Sequence, residues 1–300
     1  MDVSVIIPIY NSEKYLNRCF DSLTRQYGVE CEFICVDDGS TDNSLSICEK
    51  YYSKDKRFKI LKNKHMGVST ARNCGLNVSN GTYICFLDSD DCLSKNALSK
   101  LFTIIKNNSC DSIIYGAKLK KGKKWMYESL PKHNKLIEEF NTEDIFHLKE
   151  CRPFVWTHFI KKEIIRNIRF NETLRLGEDQ EFIIKYLSKV RKVMFIRTKM
   201  CIHYNYPKSS FNKISSDPNI ICENHIKMVS AVISEIKLNT PEFAEWVFDT
   251  LYTCYIKSQR TTDNKERILH IFEETSIKEN LCNKDKLMKY NKMCNGIPKN

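Results

Sequence analysis

Along the first 115 residues, short apolar runs alternate with segments whose apolar positions recur every three to four residues. That alternation is the signature of repeated strand–helix units around a mostly parallel sheet. Apolar runs at 3–8, 33–36, 58–61 and 83–87 predict strands, and 112–115 closes the series. After the first strand, Tyr15, Leu16, Cys19, Phe20 and Leu23 fall on one face of a helix that Asn11 or Ser12 can cap. Further helices are predicted over 45–52, 68–78 and 96–107, the last with Leu98, Leu101, Phe102 and Ile105 inward.

The pattern weakens after residue 115. A basic stretch from 118 to 135, with Gly122 flanked by lysines, suits an exposed hairpin or loop. Residues 156–168 read as strand then helix, 178–187 as helix and 193–203 as strand. Beyond Asp217 the period is helical, with Val229, Val232, Ile233 and Ile236 on one segment and Phe243, Trp246, Val247, Leu251, Cys254 and Tyr255 on the next. The expected organisation is an α/β domain over 1–215 and a helical C-terminal region over 216–300, with no internal repeat and no low-complexity linker.

Composition narrows the class. A 300-residue chain that is 42% hydrophobic can bury a sizeable core. Its apolar runs are too short to cross a bilayer, and no basic segment followed by an apolar run opens the chain, so neither secretion nor a membrane anchor is expected. The fourteen cysteines then read as reduced thiols, with Cys35 and Cys85 serving as small hydrophobes in strands. No Cys-x-x-Cys pair occurs and the seven histidines lack metal-ligand spacing, so no structural zinc is expected. The net charge of +11, mostly past residue 115, calls for an anionic partner or for a solvated lysine-rich surface. Without a zinc finger, basic zipper or aromatic RNP motif, nucleic acid is not expected, and an anionic membrane surface is the better candidate.

Open parallel sheets bind ligands outside the carboxyl ends of their strands. Three polar clusters stand there: Pro8-Ile9-Tyr10-Asn11, Asp37-Asp38-Gly39-Ser40-Thr41-Asp42 and Asp88-Ser89-Asp90-Asp91. The last packs three carboxylates into four residues, and such crowding raises the energy of the ionised state unless a cation is shared. Magnesium or manganese suits so short a cluster, because it takes one or two carboxylates and fills its other positions with water and phosphate oxygens. Helix capping by Asp88 to Asp91, and turn formation by Asp37 and Asp38, are the alternatives. No phosphate loop and no dinucleotide-binding glycine fingerprint follows the first strand, which argues against a nicotinamide dehydrogenase. A nucleotide here would depend on a metal and basic side chains for its phosphates.

In these clusters the chain resembles the bacterial family 2 glycosyltransferases of the GT-A fold. Five stretches carry the resemblance: Val3-Ser-Val-Ile-Ile-Pro-Ile-Tyr-Asn11, Val36-Asp-Asp-Gly-Ser-Thr-Asp42, Gly67-Val-Ser-Thr-Ala-Arg-Asn-Cys-Gly75, Phe86-Leu-Asp-Ser-Asp-Asp91 and Gly177-Glu-Asp179. It is close over about 3–110 and looser to about 210. It implies a Rossmann-like α/β fold, with 1–115 as the nucleotide-sugar-binding half and 116–215 as the acceptor half. It also implies roles for single residues. Pro8 and Tyr10 would line the base pocket with Ile9 and Asn11, and Asp38 would take the uracil imide with Asp37 and Ser40 beside it. Arg72 would approach the base or diphosphate, and Asp88 and Ser89 the ribose side. Asp90 would ligate the metal, Mn2+ or Mg2+, and Asp179 would be the general base. Glu178, Trp156 and His203 would belong to the acceptor side, His203 just before a loop that closes over the donor. His65 departs from the asparagine common in the family, so its contact is open.

Those roles make chemical sense together. Charge grows on a departing diphosphate and a cation neutralises it there, while a carboxylate takes the proton of an otherwise poor hydroxyl nucleophile. One base opposite the leaving group gives direct displacement and inversion. The expectation is an inverting transferase that moves a sugar from a UDP-sugar to a glycan or lipid-linked glycan in capsule, lipopolysaccharide or similar synthesis. It would work in the cytoplasm, peripheral on the inner membrane face, with homo-oligomerisation open. The alternative is a non-catalytic nucleotide-sugar or glycan binding module of the same fold.

Overall fold

The apolar run after Asp2 becomes β1 (Val3–Ile9), buried along its whole length between two parallel neighbours, β2 (Cys31–Asp37) and β4 (Tyr83–Phe86). This is seen in a computed structural model that describes residues 1–121, 124–127, 131, 133–148, 154–206, 217–257 and 262–295. β3 (Phe58–Lys62) extends the parallel set beyond β2. Ile9 lies level with Asp37 and Ile6 level with Phe86, so the polar clusters that follow these strands emerge along one edge.

Past β4 the sheet turns mixed. β9 (His158–Lys161) runs antiparallel between β4 and β6 (Ser112–Lys121), and β10 (Val193–Asn205) lies parallel to β6. The order is β3-β2-β1-β4-β9-β6-β10-β5, with β5 (Cys92–Leu93) at the far end. β7 (Lys124–Tyr127) pairs with β6, and β8 (Lys135–Ile137) with β10.

Alternation along β1 divides the core into two layers, because successive side chains point to opposite faces. Val3, Val5, Ile7 and Ile9 pack with α1 (Glu13–Thr24) and α4 (Ala97–Asn108). Ile6 faces the other layer, with Ala71 and Leu76 of α3 (Val68–Val78) and Phe182 and Ile183 of α6 (Glu178–Leu187). That second cluster runs on into the C-terminal helices α7 (Pro218–Glu235), α8 (Pro241–Lys257) and α9 (Thr262–Glu274) through Met228, Val229, Val247, Phe248, Ile268 and Phe272. α2 (Ser44–Lys54) lies outside β2 and β3, and α5 (Thr142–His147) packs near α8. α10 (Ile277–Asn280) and α11 (Lys284–Asn295) complete the described chain. No helix among the described residues is long and apolar enough to cross a membrane.

Several elements differ from the sequence expectation for identifiable reasons. Ser12 occupies the N-cap of α1, but its hydroxyl turns to the Tyr10 carbonyl and to Ser89. The cap comes instead from across the sheet: Asp42 accepts the Glu13 N–H at 3.0 Å and Ser44 accepts that of Ser12 at 2.8 Å. The helix expected within 156–168 is reduced to two short 3-10 turns, Val155–Thr157 and Lys162–Ile165, flanking β9. β6 carries on through the basic stretch to Lys121 and forms a hairpin with β7. Cys151 and the segment 207–216, which holds the expected donor-closing loop, lie outside the described residues; every described cysteine is a free thiol.

Gly75 lets α3 lie directly on β1, since a Cβ there would collide with the Ile6 side chain. Gly75→Ala is therefore expected to cost about 1–3 kcal/mol by overpacking. Urea unfolding checks it, and an unchanged midpoint would mean that α3 does not depend on this contact.

Candidate active site

The first wall of the site is built where β1, β2 and β3 end. Asp38 N–H donates to the Ile9 carbonyl at 2.8 Å, while Ile9 turns its side chain into the core and Pro8 stays buried in the strand. Asn11, at φ 47°, donates its N–H to Ser40 Oγ and accepts from Thr41 N–H through Oδ1, tying the first two clusters together. Asp38 accepts from Met66 N–H at 2.9 Å and Gly67 N–H at 2.8 Å, which pins the loop entering α3. His65 then stacks on Tyr10 with ring centroids 4.1 Å apart. A Cβ on Gly39 would come 3.0 Å from His65 N, so this close approach requires glycine, as does its φ of 75°. Asp37 uses one oxygen on Ser40 N–H, and its buried Oδ1 finds no partner among the described residues.

Arg72 is the centre of the second wall. It projects from α3 and is almost wholly buried. Its Nη1 donates to Asp179 Oδ1 at 2.6 Å and to Glu178 Oε1 at 3.4 Å, and its Nη2 donates to Asp88 Oδ1 at 3.1 Å. One planar fork thus joins the loop after β4 to the start of α6, as bidentate guanidinium geometry allows. Burial works against its charge, but Asp179, Asp88 and Glu178 outweigh it and hold Arg72 above its ordinary pKa. For Asp179 burial comes first and pushes the carboxyl up; Arg72 opposes, Glu178 and Asp88 add to the rise, and the result is about 7. Gly177, at φ 87°, leads into this helix start.

The aspartates of the third cluster separate into different environments. Asp91 is fully buried and accepts from Tyr204 N–H at 2.9 Å, with His203 Nδ1 at 2.9 Å from its other oxygen. His203 in turn stacks on Trp156, which is buried and stacks on Phe154. Asp90 is pushed up to about 7 by burial, then by Asp91 and Asp88. Ser89 is bound to Ser12, which holds this loop against the first. Arg18 of α1 donates to the Asp90 carbonyl at 2.6 Å, and its guanidinium lies 3.5 Å from the Tyr204 ring centre. Arg18, Asp91 as an internal anchor, and Tyr204 escaped the sequence reading, because only the fold brings α1 and β10 to this loop.

These residues fit a divalent cation through chemistry rather than a preformed cage. Asp88 and Asp90 offer hard oxygen donors, and the crowding that raises Asp90 is what a shared cation relieves. Among the described residues no group of three or more His, Cys, Asp or Glu converges on one metal position. The chain would supply one or two ligands, leaving the remainder to water and phosphate. A separate open depression of about 510 Å3, lined by His133, Asn134, Arg197, Thr198 and Lys199, includes none of the aspartate clusters.

Residues 4–171, more than half of the chain, match glycosyl transferase family 2. The chain belongs to that family. Three of the five stretches noted in the sequence fall inside the match, the first does so from Ser4 onward, and Gly177-Glu-Asp179 lies just beyond it. The chain is similar to the uncharacterized glycosyltransferase EpsJ of Bacillus subtilis (strain 168), 31% identical over 213 residues, which are 69% of this chain and 62% of EpsJ. It is 33% identical over 203 residues to GgaB, a minor teichoic acid biosynthesis protein of the same strain, covering 65% of this chain and 22% of GgaB. The chain thus spans less than two thirds of the length of these relatives. Among solved structures, S. aureus TarS 1-349 in complex with UDP-GlcNAc has the same fold, with a TM-score of 0.69 at 21% identity over 97% of this chain and 92% of that one. The GT-A architecture expected from the sequence, an α/β sheet with flanking helices and C-terminal helices, is the one observed.

Proposed function

We propose that this family 2 member is an inverting glycosyltransferase that moves a sugar from a UDP-sugar to a glycan or lipid-linked glycan of a cell-surface polymer. The observation that carries the reading is the Arg72 fork, which holds Asp179, 107 residues away in sequence, against the Asp88 loop. The stacked Tyr10 and His65 offer a flat face to a nucleobase, and Asp38, with Asp37 and Ser40 beside it, is the carboxylate at that edge for the imide N–H. Asp88 has one oxygen on Arg72 and suits the ribose side, while Ser89, Asn11 and Ser40 keep the loops in register. The relative named for teichoic acid biosynthesis and the fold relative that binds UDP-GlcNAc support a wall-polymer acceptor and a UDP-sugar donor.

Asp90, with Asp88 beside it, would hold Mn2+ or Mg2+, which when bound neutralises charge on the departing diphosphate. The protein's own groups do the rest. Asp179, raised to about 7, can accept the proton of an acceptor hydroxyl near neutral pH, where a carboxylate of ordinary pKa is a weaker base. Arg72 keeps that carboxylate oriented. Trp156 and His203, with Glu178, border the acceptor side, within a transferase unit over 1–215 whose donor half is 1–115. The basic second half suits work at the anionic inner face of a membrane.

Calorimetry with UDP tests the donor reading. In EDTA the affinity is expected to fall by about tenfold or more, the scale of lost charge-assisted contacts. Asp90→Ala should bind UDP in manganese only as well as wild type does in EDTA. Equal wild-type affinity with and without the metal would overturn the role of Asp90.

A further inference from the structure

The hairpin of β6 and β7 carries a row of side chains that the proposed function leaves unused. Trp125 lies opposite Lys120, and Lys120 opposite Tyr204, so the three stand on one face of neighbouring strands. Lys118 is two residues away on the same face. The ammonium of Lys120 lies between two rings, 5.2 Å from the Trp125 centre and 5.5 Å from that of Tyr204. Lys118 Nζ is 5.6 Å from the centre of the same Trp125 ring. At the inner end Arg18 covers Tyr204 and donates to the Asp90 carbonyl. Cation and aromatic therefore alternate from the Asp90 loop outward as Arg18, Tyr204, Lys120 and Trp125, with Lys118 beside Lys120 on β6 against the same Trp125 ring.

Two features show that this row is not spent on the fold. Trp125 is 52% exposed, although a ring of that size is ordinarily buried when packing is its only role. No carboxylate among the described residues pairs with Lys118 or Lys120, so neither charge is neutralised within the described fold.

We infer that this strip binds the acceptor, and that the acceptor is a chain of sugar or polyol units carrying phosphate or similar anionic groups. This rests on the transferase reading for its direction, toward Asp90, and on the row's own chemistry for its ligand. The exposed Trp125 ring suits the apolar face of a sugar unit, and the ammonium groups of Lys118 and Lys120 beside it suit the anionic groups of a polymer. A row that ends at the reaction loop fits a linear polymer better than a flat bilayer.

Binding of a synthetic glycerol-phosphate oligomer to the full chain tests the inference, with neutral dextran and vesicles of anionic lipid as comparison probes. The oligomer should bind wild type and dextran should not. The double change Lys118→Gln and Lys120→Gln, and separately Trp125→Ala, should each weaken the oligomer by about tenfold at low salt, with the melting temperature retained. The inference is overturned if the oligomer binds no better than dextran, or if both variants bind it like wild type. Variants that lose the vesicles but keep the oligomer also overturn it, because the strip would then face a membrane. UDP affinity on the same samples is a separate readout that decides the donor reading, so the two can fail independently.

Discussion

Asp179→Asn is expected to lower turnover by roughly 100-fold or more while UDP-sugar affinity changes little, because a general base acts only in the transition state. The substitution keeps the shape of the side chain and removes its basicity. Arg72 remains tied to Asp88 and Glu178, so the wall of the site stays in place. The wild-type pH profile follows from the same group. Its carboxyl, raised mainly by burial to about 7, accepts a proton only when ionised. Turnover should therefore rise with pH up to about 7 and level off above it, falling about tenfold per unit on the acid side. Asp179→Asn should flatten that limb. Glu178→Gln serves as the control, expected to weaken acceptor binding or do little. If Asp179→Asn turns over normally while Glu178→Gln is dead, the base lies one residue earlier.

Arg72→Ala has the largest expected effect on stability. The guanidinium is buried among three carboxylates, and removing one partner of a buried ionic network leaves the others uncompensated, at a cost of about 3–5 kcal/mol. Urea denaturation measures it. Arg72→Lys should recover only part, since an ammonium cannot present the planar fork to Asp88 and Asp179 together. Adding Asp179→Asn to Arg72→Ala removes one of the stranded charges, so the double variant should be more stable than the sum of the single losses implies. A loss for Arg72→Ala below about 0.5 kcal/mol would show that the fork is not a structural hub.

What could be read from sequence was what local periodicity controls. The bounds predicted for α3 and α6 are those observed, because each has a run of apolar positions at helical spacing ended by a change of pattern. The first four strands and the polar clusters behind them were legible for the same reason. Long-range features were not. Arg72 and Asp179 are 107 residues apart, and His203 and Asp91 are 112 apart, distances over which no periodicity carries information. The Asp88 cluster read as three crowded acids, yet Arg72 and Asp91's partners divide them into separate environments. The apolar pattern predicts β6 only over 112–115, because its basic half has the composition of a loop; pairing with β7 and β10 keeps it extended to Lys121. α5 does carry a local signal, the reciprocal capping box of Asn141 and Asp144 at its start, but its six residues are too few to show a helical period.

Binding and activation of a UDP-sugar by the aspartate clusters is the function proposed for this site. The most direct measurement is the release of UDP from a panel of UDP-sugars incubated with the protein and manganese, each repeated in EDTA. At least one sugar nucleotide should be cleaved, and EDTA should abolish the release. Absence of UDP release from every member of the panel, under conditions where the protein is folded, would contradict that function.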